Sequence, residues 1–251
     1  MTQLLALAGF GFLLGMRHAT DADHVIAVTT ILNRSRRFLD TTLIGALWGL
    51  GHTVTVVIVG VLIIGFNVVI PPPVGLAMEF AVALMLIGLG ILNLTGGLRS
   101  FTERVTPPAP IHAHDHAHAG ESHAHLHGHG EHPGLVATLG RYQLIRPVVV
   151  GLVHGLAGSA AVALLVLATI QDTGMAVAYL FIFCIGVGAG MAVLTTIIGL
   201  PFMISGARSA QINRWLTIGS GMLSLAFGLL LAYEIGFVGG LFTGDFNWEP
   251  A

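Results

Sequence analysis

Six long apolar runs, separated by polar breaks, cover about residues 3–32, 41–66, 74–98, 146–170, 174–200 and 212–238. Each reaches or exceeds the roughly 20 apolar residues that cross a bilayer as a helix. In hydrocarbon every backbone N–H and C=O must find its partner within the segment or in a closed barrel. Runs of this length therefore predict an all-α polytopic membrane protein with six transmembrane helices. The first run would reach about 45 Å at about 1.5 Å per residue. It must tilt, break or project beyond the hydrocarbon.

The two halves of the pattern resemble each other. Gly15-Met-Arg-His18 is matched by Gly151-Leu-Val-His154, Gly49-Leu-Gly51-His52 by Gly186-Val-Gly188-Ala189, and Gly88 by Gly228. The offsets are 136, 137 and 140 positions. Three crossings per half is an odd number, so the halves are expected as inverted repeats, an arrangement that puts a binding site near the membrane midplane. The predicted organisation is a first three-helix repeat over 1–98, a His-rich segment over 99–145 and a second repeat with its tail over 146–251.

Charge adds an orientation. Only 9% of residues are charged, against roughly 25% in soluble domains. All ten basic residues are Arg. Arg34, Arg36 and Arg37 follow the first run, Arg99, Arg104, Arg141 and Arg146 flank the middle segment, and Arg208 and Arg214 separate the last two runs. The connections 67–73 and 171–174 hold none. The positive-inside rule then places the middle segment in the cytoplasm and both termini outside a cytoplasmic (inner) membrane. The absence of Lys excludes a P-loop and a Schiff-base Lys. A single cysteine, Cys184, excludes an internal disulfide and a CxxC site. The first run carries ionisable residues and lacks a basic leader, so it reads as a retained crossing. No nucleic-acid partner and no prosthetic group are expected.

Those ionisable residues carry the chemistry. Arg17-His18-Ala-Thr-Asp21-Ala-Asp23-His24 sets five of them within eight positions. Each costs roughly 2.5–3.5 kcal/mol at the bilayer centre, so each needs a partner or a purpose. On an unbroken helix at about 100° per residue, His18, Asp21 and His24 share a face with Arg17, and Asp23 falls elsewhere. Either the helix unwinds here, or Asp23 orients a ligand from behind it. His52 and His154 fall at mid-depth in their own runs, beside small residues that let helices approach closely. Glu79 is a weaker candidate, and Asn93 and Ser159 read first as helix–helix hydrogen-bonding residues and second as polar linings. Imidazole nitrogen with carboxylate oxygen suits nickel, cobalt, zinc or copper(II). The predicted metal site is His18, Asp21, Asp23, His24, His52 and His154.

The run 17–24 has the form RHAxDADH and resembles the HX4DH signature of the nickel/cobalt transporter (NiCoT) family, within the NicO superfamily. Leu50-Gly51-His52-Thr53 resembles that family's second motif, LGHS. The resemblance covers nearly the whole chain. It implies high-affinity Ni2+ or Co2+ uptake, with His18, Asp23 and His24 as signature positions and His52 in support. Typical members have eight crossings and a third motif, GLGFDTATE. Here Gly155-Leu-Ala-Gly-Ser159-Ala-Ala stands in its place without the acidic residues. The pattern is more similar to a short, six-crossing branch of urease-accessory-type nickel permeases.

The middle segment holds nine histidines, His112, His114, His116, His118, His123, His125, His127, His129 and His132. Alternating His with Ala and Gly cannot build a core, so a disordered, auxiliary metal-binding tract is expected on the cytoplasmic side. It could pass metal to cytosolic metallochaperones or to urease or hydrogenase maturation proteins. The function expected is a secondary transporter importing Ni2+ or Co2+ as substrate. An exporter of the same metals is the competing reading. A membrane metalloenzyme is a distant third, since desaturase-like boxes need about eight ligating histidines and HExxH is absent.

Overall fold

The computed structural model describes residues 2–32, 38–66, 70–96, 112–118, 121–127, 135–155, 167, 169–208 and 210–248. In chain order the helices are α1 (Thr2–His18), α2 (Ala22–Ile31), α3 (Phe38–Phe66), α4 (Pro72–Leu94), α5 (Leu135–His154), α6 (Thr173–Arg208) and α7 (Ala210–Tyr233). A π-helical turn, Glu234–Val238, continues α7. Among the described residues, four helical stretches are long and apolar enough to cross a membrane: Thr41–Phe66, Pro72–Leu94, Thr173–Pro201 and Gln211–Val238. Large apolar side chains such as Leu13, Phe66 and Phe181 are exposed, whereas His18, His24, His52 and His154 are buried. This distribution is that of a chain whose solvent is lipid.

The first predicted run is broken. Helix α1 ends at His18, a turn occupies 19–21, and Asp21 stands at the N-cap of α2 in extended conformation. Local bonds absorb the interruption: the N–H groups of Ala19, Thr20 and Asp21 donate to the carbonyls of Gly15, Arg17 and His18. Thr20 Oγ1 also donates to the Arg17 carbonyl at 2.6 Å. A break in the membrane is tolerated only where freed backbone groups are satisfied in this way. The run predicted at 146–170 contains the end of α5, which stops at His154; residues 156–166 lie outside the described residues.

Two other expectations shift. Helix α5 starts at Leu135, eleven positions before the predicted boundary of the second half. The His-rich segment, expected without regular structure, carries two antiparallel strands, β1 (His112–His118) and β2 (Glu121–His127). Their register pairs His112 with His127, His114 with His125 and His116 with His123. The two-residue alternation of His with other residues has the period of a strand, and pairing satisfies the backbone without a core. His129 and His132 lie outside the described residues.

Helix α3 packs on α6, α4 on α7, α1 on α6 and α3 on α5, while α2 rests against α4, α6 and α7. Glycine makes the closest approaches, and these occur in matched pairs. A Cβ on Gly15 would strike the backbone of Phe183 and Val187; one on Gly151 would strike that of Trp48 and His52. Gly186 faces Phe12 as Gly51 faces Val148. Gly45 faces Thr195 as Gly60 faces Leu180, and Gly90 faces Leu225 as Gly228 faces Ile87. The offsets are 136 between α1 and α5, 135 between α3 and α6, and 138 between α4 and α7. The last two differ from the 137 and 140 read from glycine spacing, which pairs Gly49 with Gly186 and Gly88 with Gly228. The contacts pair Gly51 with Gly186 and Gly90 with Gly228.

Candidate metal centre

The break after His18 sets the geometry of the centre. It ends one helix on an imidazole and starts the next with Asp23 and His24 in its first turn. Trp48 and His52 arrive one turn apart on α3, and His154 closes α5. The backbones of these helices meet because Gly51, Gly151 and Gly155 leave no side chain between them.

His18 Nδ1 lies 3.0 Å from Asp21 Oδ2, and His18 Nε2 lies 3.0 Å from His52 Nε2. His24 Nδ1 lies 3.0 Å from Asp23 Oδ1. The other oxygen, Asp23 Oδ2, stands 3.6 Å from His154 Nε2. Two groups could hold an ion: His18, His24 and His52, and Asp23, His24 and His154. Within each group, ligand atoms all fall within 4.8 Å of one another. His24 belongs to both, its ring centroid 4.7 Å from that of His18 and 4.8 Å from that of His154.

The carboxylates set the tautomers. An imidazole that donates Nδ1–H to a carboxylate presents the Nε2 lone pair, the usual arrangement of a metal-binding histidine. Asp21 does this for His18 and Asp23 for His24. His24 Nε2 and His52 Nδ1 are buried and have no hydrogen-bond partner among the described residues. A buried unsatisfied polar atom costs about 1–3 kcal/mol. A cation seated between these nitrogens would remove that cost.

The structure brings together His18, Asp23, His24, His52 and His154. Asp21 reaches the centre only through His18, with its side chain about a third exposed (34%). Glu79 accepts a hydrogen bond from Trp248 Nε1 at 2.9 Å. Asn93 donates to the Thr217 carbonyl and to Ser220 Oγ, tying α4 to α7. Ser159 lies outside the described residues. Sequence reasoning missed Trp48, whose ring centroid is 5.4 Å from those of both His24 and His154. Its signal was its position one turn before His52 on the same helix face.

Residues 4–238 match the family model described as NicO, high-affinity nickel-transport protein. The chain belongs to this family. NicO proteins are transporters and not enzymes, and the four apolar helices agree with a multi-pass membrane protein. Among curated proteins, the urease accessory protein UreH of Bacillus sp. (strain TB-90) is 34% identical over 239 residues, covering 95% of this chain and 96% of the relative. No solved structure matches. Ni2+ is thus the substrate that membership in the NicO family implies.

Proposed function

We propose that this NicO protein is a secondary permease that carries Ni2+, and Co2+ with it, into the cytoplasm through the His18, His24, His52, Asp23 and His154 centre. The observation that carries the reading is the convergence of four buried imidazoles and one carboxylate, from four helices, with ring nitrogens left unpartnered. A structural clasp would leave no such orphans. The donor set, nitrogen with some oxygen and no sulfur, fits both metals.

The scaffold is an inverted pair of three-crossing repeats. The matched contacts support it: α1 on α6 mirrors α5 on α3, while α3 on α6 and α4 on α7 are each their own mirror image. The first crossing is α1 with α2, and the fourth begins with α5. The arginine distribution supports a cytoplasmic-membrane location with both termini outside. Entry of a divalent ion then gains roughly 4.6 kcal/mol at 100 mV, twice the per-charge value, and needs no second ion.

A time course of radioactive nickel in cells with and without the protein tests the direction. Accumulation several-fold above control is expected, collapsing when the membrane potential is dissipated. Accumulation below control would make the protein an exporter.

The His-rich segment buffers the arriving ion and hands it to cytosolic nickel-handling proteins, including those of urease maturation; the name of the UreH relative supports that link. Deleting 112–132 is expected to lower accumulation several-fold at scarce supply and to leave the saturating rate unchanged. Loss at both supplies would place the segment in the conduction path.

A further inference from the structure

Asp23 holds the Nδ1–H of His24, so the Nε2 lone pair is the single ligand position that His24 offers to either group. Nδ1 faces Asp23, whose second oxygen looks towards His154 Nε2. Nε2, on the other edge of the ring, has no partner among the described residues. The remaining three-ligand group is made with His18 and His52, whose Nε2 atoms already face each other at 3.0 Å. We propose that His24 is shared by two ion subsites, Asp23–His24–His154 and His18–His24–His52, and that Ni2+ crosses the middle of the membrane by passing from the first to the second.

Three observations carry this. The first is depth. Helix α1 has 17 residues, about 25 Å at 1.5 Å per residue. With Thr2 set at the outer membrane edge of the proposed scaffold, that exceeds half of the roughly 30 Å hydrocarbon, so His18 then lies past the midplane as seen from the N-terminal face. In the proposed inverted scaffold His154 holds the corresponding place, 136 positions later, on a helix that enters from the opposite face. The two imidazoles therefore stand on opposite sides of the midplane. With the N-terminus outside, the His154 subsite is the outer one.

The second is the position of His24. Its ring lies equally far from His18 and His154, 4.7 and 4.8 Å between centroids. It thus stands midway between the two imidazoles, where one ligand can serve both sides.

The third is the chemistry of the ring. A neutral imidazole has one in-plane lone pair, because its other nitrogen carries the proton. His24 can therefore complete one subsite or the other, but not both. Two ions are kept from lodging together, and one ion changes partners without ever being released bare into a low-dielectric interior.

The inference rests on the permease reading, and the test separates the two. Purified full-length protein in nanodiscs is titrated with 63Ni2+, and the same variants are assayed for 63Ni2+ flux in proteoliposomes. Wild type should bind one ion per chain. His52→Ala and His154→Ala should each still bind one ion, with affinity reduced by no more than about 100-fold, the range set by loss of a supporting partner. Both should lose flux at least 100-fold. His24→Ala should lose binding as well.

If His52→Ala or His154→Ala abolished binding as completely as His24→Ala, the centre would be a single undivided site. Wild-type flux in either variant would also overturn the relay. His52→Asn and His154→Asn preserve bulk and polarity should the alanine variants fail to assemble. Co2+ loaded into these two variants should give two different ligand-field spectra; identical spectra would overturn the relay. A wild type that binds no nickel would instead defeat the permease reading, and the relay with it.

Discussion

Replacing Asp23 by Asn is expected to reduce nickel accumulation by about 100-fold or more, with normal insertion in the membrane. Among the described residues Asp23 is the only carboxylate that touches two imidazoles of the centre, bonding His24 Nδ1 at 3.0 Å and facing His154 Nε2 at 3.6 Å. The amide keeps the size and one acceptor oxygen, so the fold has no reason to change. What disappears is a negative charge beside a divalent cation where little water screens it. Loss of a carboxylate that only orients a ligand typically costs 10–100-fold. In the proposed centre Asp23 both orients His24 and offers an oxygen to the ion, which places its loss at or beyond the upper end. Asp21→Asn is the control. Asp21 touches His18 alone and is a third exposed, so a loss of about 10-fold is expected, the lower end of that range. Equal losses from the two substitutions, measured as 63Ni2+ accumulation per inserted protein, would refute the assignment of Asp23 as the ligand.

The second large effect concerns assembly. Gly151→Val and Gly15→Val should each lower the apparent melting temperature in detergent by about 10 °C or abolish assembly. Overpacking into a well-packed interior costs typically 1–3 kcal/mol, more where the obstacle cannot move, and 1 kcal/mol shifts Tm by about 2–4 °C at this chain length. Here the obstacles are backbone atoms: Phe183 and Val187 for Gly15, Trp48 and His52 for Gly151. Neither can swing aside as a side-chain tip would. Because the two contacts are mirror images, the two losses should be similar. Gly88→Val is a fair control, because a Cβ there meets nothing within 4 Å. A Gly88 variant as damaged as the other two would mean that the close approaches do not limit packing.

The candidate ligands were legible in the sequence because an ionisable residue in an apolar run announces itself. His18, His24, His52 and His154 could be placed at similar depth from their positions alone. Their convergence could not, since it depends on which helices adjoin. The helical projection put Asp23 on another face because it assumes a continuous helix, and whether the helix unwinds or Asp23 stands behind a ligand was left open. The interruption at 19–21 is stabilised by backbone bonds that leave no composition signal beyond a Thr and an Asp. Trp48 was invisible for a different reason: an indole in an apolar helix reads as packing until its neighbours are known. The matching of glycines between the halves was legible in the sequence, and the register of their contacts was not. Counting from glycines pairs Gly49 with Gly186, yet the glycine that meets the neighbouring helix at that level is Gly51, two positions on. The strands at 112–127 fit the alternation of His, but composition alone argues for no structure there. A period of two becomes informative only once a second strand is in register with it.

The equidistance of the His24 ring from its two neighbours has a consequence for how such a protein could arise. In an assembly of two identical halves, any side chain at the centre of symmetry would meet its own copy, and two imidazoles cannot fill one place. The sequence position matching His24 in the second half is Ala160, by the 136-residue offset. In the proposed two-repeat scaffold a lone imidazole between the two subsites requires that the halves differ, so two copies of residues 1–98 would not rebuild the proposed pathway.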